Sequence, residues 1–467
     1  MIKNLTSGNP LKLIIDFSMP LLLGNILQQT YNIADASLVG KILGSEALAG
    51  VGASSSVQFL ILGFCMGLCT GFAIPVAQRF GADDFKDMKN YIFNSVILTF
   101  AFSIIITVCC LILCKKILIL LSTPEDIFDF AYSYLFIIFA GIPFSMFYNL
   151  LAGFLRSVGD SKTPFIVLLI STITNIALDL LFIITFNGGV AGAALATIIS
   201  QFLSALLCFF FIIKKFDVLK LKKENCKIIL KKIAVLLSSG LPMGFQFSIT
   251  AIGSMVIQAA NNRLGSLYVT AFTASAKIKQ FSMCPFDAIA TAVATFASQN
   301  YGAGKVDRIK KGLWQGVLLG VSYGIFIGLV IYFFGEKISL LFIDKNEVDI
   351  IKACGQYVKT LALFFWLIGI LNSLRMTTQG LGFSPRAIFS GVVEMIARCF
   401  VGFVLVPKYE YTAICFADPS AWLAAVLYIT PTCLLCIRKV RIKIENPQGR
   451  NRKKVSLKQK KIDSKTL

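Results

Sequence analysis

Long apolar stretches of this chain carry no charge: Ser95–Cys114 covers 20 residues and Leu313–Gly335 covers 23. A helix rises 1.5 Å per residue, so about 20 apolar residues cross the roughly 30 Å hydrocarbon core of a bilayer. Strands of an outer-membrane barrel are about ten residues of alternating polarity, a pattern these runs lack. Hydrophobic residues make up 56% of the chain and charged residues 15%, with a mean hydropathy of +0.77. A soluble domain has about 25% charged residues, so the chain reads as an all-α polytopic membrane protein. No long stretch is polar enough to coat a soluble domain.

Twelve spans are predicted, at roughly 11–39, 50–78, 92–114, 131–155, 164–186, 190–213, 236–262, 268–298, 313–335, 354–377, 386–406 and 413–437. The first run carries Asp16 and Pro20 and is followed by no A-x-A-like cleavage site, so it reads as a retained span. The basic residues test the count. Of the 45 Lys and Arg, eight fall in outer segments (Lys41, Lys115, Lys116, Arg263, Lys337, Lys345, Lys352 and Lys408), five within spans and the remaining 32 in cytoplasmic segments. That split follows the positive-inside rule with both termini cytoplasmic. It also accounts for the net charge of +21 by attraction to anionic headgroups, without nucleic acid as a partner. The expected units are a first lobe 1–213, a basic cytoplasmic linker 214–235, a second lobe 236–437 and a basic tail 438–467, disordered at its end.

The halves repeat. Pro20 recurs as Pro242, Gln78-Arg79-Phe80-Gly81-Ala82 as Gln299-Asn300-Tyr301-Gly302-Ala303, and Arg156-Ser157-Val158-Gly159-Asp160-Ser161 resembles Gln379-Gly380-Leu381-Gly382-Phe383-Ser384. Six spans separate the copies, so the prediction is two six-helix lobes in parallel, related by a pseudo-two-fold axis, a transporter architecture.

The 13 cysteines lie mostly in apolar runs and read as small buried residues, and the chain has no His. That excludes a Ser-His-Asp triad and histidine metal sites; no metal and no cofactor are expected. A charge within the hydrocarbon is expensive and marks function by default. Asp16 reads as reaching water at the inner end of span one, and Asp418 as a capping or interfacial residue. Asp287, after Pro285, reads equally as part of a kink or as functional. Glu394 and Arg398, four apart on one face, read equally as an internal ion pair or as substrate contacts. Lys277, Lys279, Lys359 and Arg375 read as snorkelling. Gln28, Asn32, Gln246 and Gln258 join Glu394 and Arg398 as candidate substrate-pocket residues.

Asp35 and Asp179 have no basic residue one turn away. Asn175 lies one turn before Asp179, on the same face. Asp179 precedes Asn187 by 8 residues and Thr197 follows Gly189 by 8, which places both about 12 Å below the outer surface; Asp35 lies at a depth of about 8–13 Å. Two carboxylates, an amide and a hydroxyl therefore meet at one depth, an oxygen set suited to a hard cation or a proton.

The run from Pro20 through Asp35 to Val39-Gly40 resembles the first helix of the multidrug and toxic compound extrusion (MATE) family. Gly159-Asp160-Ser161-Lys162-Thr163-Pro164 is similar to its loop between helices four and five, and Asn175…Asp179 with Asn187-Gly188-Gly189-Val190-Ala191-Gly192-Ala193-Ala194 to its helices five and six. The likeness covers about residues 8–440. It implies twelve helices in two lobes around a V-shaped cavity, and export of organic, often cationic compounds against inward sodium or proton flow. It implies cation ligands at Asp35, Asn175, Asp179 and Thr197, and a bend of the first helix at Pro20. Other members carry acids in helices seven and ten; here 240–261 and 354–377 have none, so the resemblance places coupling in the first lobe. The expectation is a monomeric antiporter in the cell (inner or plasma) membrane. Its partners are a small organic substrate, a coupling cation and the lipid bilayer. An exporter of an endogenous lipid-linked or metabolite substrate is the alternative. A membrane-embedded enzyme or receptor is disfavoured by the repeat and the absence of His.

Overall fold

The computed structural model describes residues 3–121 and 123–445, and among these it contains helices and no strand. In lipid each segment has to satisfy its own backbone, which favours helices over open sheets. The first six spans are α1 (Pro10–Leu43), α2 (Ser45–Gly81), α3 (Phe85–Leu120), the pair α4 (Glu125–Ala140) and α5 (Ile142–Ser157), α6 (Lys162–Leu180) and α7 (Gly189–Lys215). After a connection containing two short turns come α8 (Leu230–Asn262), α9 (Ser266–Gly302), α10 (Val306–Ser339), the pair α11 (Val348–Ala362) and α12 (Phe365–Gly380), α13 (Ser384–Phe400) and α14 (Val406–Glu445).

The twelve-span, two-lobe expectation holds. Among the described residues, nine helical stretches are long and apolar enough to cross a membrane, and the two bent pairs add two more. One of the nine, Ser384–Glu445, has 62 residues, about 93 Å of helix and twice what a bilayer takes. It divides at Glu410, whose backbone is non-helical (φ 48°, ψ −131°), and so provides two spans. The helices overrun their predicted ends: α1 reaches Leu43, and α14 continues to Glu445, into the tail. The rest of the tail, 446–467, lies outside the described residues.

The repeat extends to irregularities. The fourth span bends by 47° between α4 and α5, and the tenth by 50° between α11 and α12. A π-turn at Leu181–Thr185 after α6 recurs at Val401–Leu405 after α13. Gly159 (φ 81°) and Gly382 (φ 84°) occupy matching left-handed positions in the matching loops, where a Cβ is disfavoured. Asp160 then accepts hydrogen bonds from the Lys162 and Thr163 amides and the Thr163 hydroxyl, organising the start of α6.

The lobes meet through α2 and α8. A Cβ on Gly71 would lie 2.5 Å from Gly240 Cα, and one on Gly67 2.6 Å from the Met243 carbonyl, so small residues bring these backbones together, as in many membrane helix pairs. At the end of the bundle that gathers both termini, the repeat contacts itself reciprocally: Gly81 abuts Gln299 and Gly302 abuts Gln78. Residues 4–8 lie across this terminal end. Leu5 N–H donates to Gln299 Oε1 (2.9 Å), and its carbonyl accepts from Asn300 Nδ2 and Arg308 Nη2. Lys305 Nζ donates to the Thr6 carbonyl (2.9 Å). Gln299 Nε2 in turn donates to Ser157 O, and Gln78 Nε2 to Gly380 O, each crossing between lobes. Among the described residues, every hydrogen bond between the lobes lies in the terminal half or near the middle, where Asn25 meets Cys284 and Ser248 meets Leu60.

Candidate functional site

Helices α1, α6 and α7 bring the predicted first-lobe residues together. Gly24 packs α1 against Leu168 and Phe165 of α6. Further along, Asp35 on α1 and Asp179 on α6 face each other closely enough to interact directly. Asp179 is fully buried, and Asn175 and Asp35 nearly so. Thr197 on α7 lies 3.5 Å from the Tyr31 hydroxyl, and Tyr31 is within electrostatic reach of both aspartates.

Both oxygens of Asp179, Asp35 Oδ1 and both polar atoms of Asn175 are buried without a hydrogen-bond partner. Buried polar groups are ordinarily paired, and five unpaired atoms in one cluster point to a ligand that supplies the missing partner. No group of three or more Cys, Asp or Glu suited to a metal ion occurs among the described residues. This cluster has two acids, with its other oxygens from an amide and a hydroxyl, a set that fits a hard monovalent cation or a proton. Tyr31, Tyr134 on α4 and Gln58 on α2 also belong to the surroundings. Tyr31 was legible in principle, one turn before Asp35; Tyr134 and Gln58 come from other helices and left no local signal.

In the second lobe the structure corrects several expectations. Arg375 and Lys279 do not snorkel. Arg375 is buried; it pairs with Glu394 and donates from Nε to Ser390 Oγ (2.9 Å). Lys279 Nζ donates to Asp418 Oδ2 (2.7 Å). Asp418 is no interfacial cap: Arg398 Nε and Nη2 reach its Oδ1 (3.1 and 3.0 Å), and Tyr357 Oη donates to Oδ2 (3.1 Å). Glu394 and Arg398 do contact each other, at 3.4 Å, but each has a shorter contact elsewhere. The physical reason is burial: a charge placed deep between helices requires a counter-charge, and α9, α12, α13 and α14 converge here. Lys359 pairs with Glu336 at 2.6 Å, and Asp16 with Lys3 at 2.7 Å.

The other candidate pocket residues do not form one surface. Gln246 is buried and accepts from Gln379 Nε2 (2.6 Å), whereas Gln258 donates to Asn262 (2.8 Å). Gln28 and Asn32 are exposed on α1, and Asn32 is 3.5 Å from Gln29. Between the lobes, near the terminal end, lies a narrow open cleft with a void of about 50 Å³. Its walls come from α2, α5, α8, α9 and α12, and include Thr70, Arg156, Thr291, Ser298 and Gln379.

Comparison with known proteins agrees with this architecture. The probable multidrug resistance protein YpnP of Bacillus subtilis (strain 168) is 32% identical over 422 residues, covering 90% of each chain. A crystal structure of MATE in complex with MaL6 superposes with a TM-score of 0.87 at 22% identity, covering 94% of this chain and 98% of that one. An outward-facing multidrug resistance MATE family transporter of the MOP superfamily superposes at 0.85 with 22% identity, covering 95% and 98%. The MatE family model matches twice, at residues 20–181 and 242–404, once in each lobe, and the chain belongs to the MatE family of multidrug efflux transporters.

Proposed function

We propose that this transporter is a secondary antiporter that expels amphipathic organic compounds carrying a positive charge in exchange for sodium ions or protons. The coupling site is Asp35, Asn175, Asp179 and Thr197. The terminal end of the bundle faces the cytoplasm, because the basic residues concentrate there. The observation that carries the reading is the buried pair Asp35–Asp179, with three carboxylate oxygens unpartnered. Two carboxylates at close range in a low dielectric repel strongly, and a bound cation or a proton relieves the repulsion. Exchange follows if ion entry and substrate exit use alternate states of one first-lobe pocket. Each net inward elementary charge gains about 2.3 kcal/mol per 100 mV, so a one-for-one exchange with a singly charged substrate draws on the ion's concentration gradient alone, and a second coupling ion adds the potential.

The test is efflux from proteoliposomes under separately imposed sodium and proton gradients, normalised to folded protein. Asp35→Asn and Asp179→Asn keep shape and remove charge. Each is expected to abolish gradient-driven export with no loss of folded protein, and Asn175→Ala and Thr197→Ala to weaken it more mildly. Wild-type export by both Asp→Asn variants would rule out first-lobe coupling.

A further inference from the structure

The segments that lead into α1 and α8 each cross to the opposite lobe at the terminal end. Residues 4–8 precede α1 and rest on α9 and α10 of the second lobe. Five hydrogen bonds hold them there, made by the Leu5 amide, the Leu5 carbonyl twice, and the Thr6 and Gly8 carbonyls. Lys305 Nζ donates to the Thr6 carbonyl and Arg308 Nη1 to the Gly8 carbonyl, each at 2.9 Å. The Leu5 side chain is 1% exposed and packs in a cluster that joins Ile14 and Phe17 of α1 to Val293 and Phe296 of α9. Two residues earlier, the Lys3 amide donates to the Val158 carbonyl of the first lobe (3.2 Å). This strap therefore has a hold on each lobe.

The chain before α8 makes the reverse crossing. Asn94 on α3 of the first lobe is fully buried. Its Nδ2 donates to the Lys227 carbonyl and its Oδ1 accepts from the Ile229 amide, both at 3.0 Å. Lys232, in the first turn of α8, pairs with Asp87 of α3 at 2.5 Å. The two straps match within the repeat. Leu5 and Lys227 are 222 positions apart, the separation of Pro20 and Pro242, and Asp87 and Arg308 are 221 apart. At equivalent places, then, the first lobe carries an acid that takes up a lysine, and the second carries an arginine that takes up backbone carbonyls.

Parallel lobes around one site expose it to each side in turn by rocking against each other, so the terminal end has to part during the cycle. A contact present in one state and absent from the other shifts the balance between them. The glycine contacts at this end simply separate as two surfaces. The straps cannot, because each is continuous with a helix of one lobe and bonded to the other.

We propose that the two straps form a paired latch. Residues 4–8 leave α9 and α10, and residues 227–232 leave α3, before the lobes part at the terminal end, and the strength of their seating sets how much of the population has that end open. The latch involves neither Asp35 nor Asp179 and requires no particular coupling ion or substrate. Its failure would leave the export reading standing, and failure of first-lobe coupling would leave the latch intact.

The experiment reads the distance between the lobes at the terminal end by double electron–electron resonance. Spin labels go on Lys86→Cys of α3 and Lys311→Cys of α10, exposed positions outside both seats, in the full chain lacking its native thiols and held in lipid nanodiscs. Lys305→Gln with Arg308→Gln should raise the population with that end open about tenfold, the scale of one charge-assisted hydrogen bond. Asp87→Asn, at the other seat, should act in the same direction and gives an independent reading if the first variant fails to fold. A reducible linker between Thr6→Cys and Lys305→Cys, closed before labelling, should abolish the open population, and reduction should bring it back. The same linker between Lys3→Cys and Asp16→Cys, whose native side chains pair at 2.7 Å within the first lobe, should leave the distances unchanged. A strap that merely caps the fold would lower the unfolding temperature of the seat variants without altering the distances, and that result overturns the proposal. So does an open population that persists with the linker between positions 6 and 305 complete.

Discussion

At the scale of single residues, the two lobes treat buried charge in opposite ways. In the first, Asp35 and Asp179 face each other with orphaned oxygens. In the second, Arg375, Glu394, Arg398, Asp418 and Lys279 saturate one another across four helices. A saturated network contributes rigidity, and removing one member leaves an uncompensated charge. Arg375→Met would leave the buried Glu394 with only its 3.4 Å contact to Arg398, at an expected cost of about 3–5 kcal/mol. The double variant Arg375→Met/Glu394→Met should recover most of that loss, since both charges then disappear. Thermal unfolding in detergent would register both effects; a single variant as stable as the wild type would mean the network carries little.

At the scale of elements, α1 connects the strap of residues 4–8 to the Asp35–Asp179 pair. Pro20 lies inside an unbroken helix, where it leaves the Asp16 carbonyl without its usual donor and crowds it. The expectation is that Pro20 lets α1 bend and so change the volume around Asp35, one helix away from Asp179. Pro20→Ala restores the missing hydrogen bond, straightens and stiffens α1, and should slow export several-fold while leaving thermal stability equal or higher. Export at the wild-type rate would show that α1 acts as a rigid rod. The same logic explains why α2 and α8 carry glycine where they cross: Gly71 against Gly240 leaves no room for any side chain.

At the scale of the whole molecule, the two-fold repeat creates a closed end and a cleft above it. The reciprocal contacts of Gly81 with Gln299 and Gly302 with Gln78 are what two copies of one motif produce when they meet across a pseudo-two-fold axis. The strap of residues 4–8 adds hydrogen bonds to the second lobe on the same side. If this end is cytoplasmic, a cysteine at Lys220 in a background lacking the native thiols should resist an impermeant maleimide applied to intact cells, and react after permeabilisation. Labelling from outside would invert the orientation and, with it, the direction of export.

The lengths and number of the spans follow from local composition, because a chain in hydrocarbon satisfies its hydrogen bonds within each segment. Ser95–Cys114 could only become a helix, and it lies within α3. The depth of Asp35, Asp179 and Thr197 was legible for the same reason: rise per residue converts spacing from a turn into distance below the surface. The matching loops at Gly159 and Gly382 were likewise visible as a repeated motif. Neighbours across helices were not. Lys279 meets Asp418 across 139 positions of sequence, and Arg375 meets Glu394 across 19, and nothing in either segment names the other. Whether a membrane lysine snorkels or forms an ion pair depends on which helix packs beside it. The bends of 47° and 50° within two spans and the division of the 62-residue stretch at Glu410 were decided the same way. Local periodicity specifies where a chain crosses the bilayer, and only the packing of distant helices settles which charges find partners and which are left open for a ligand.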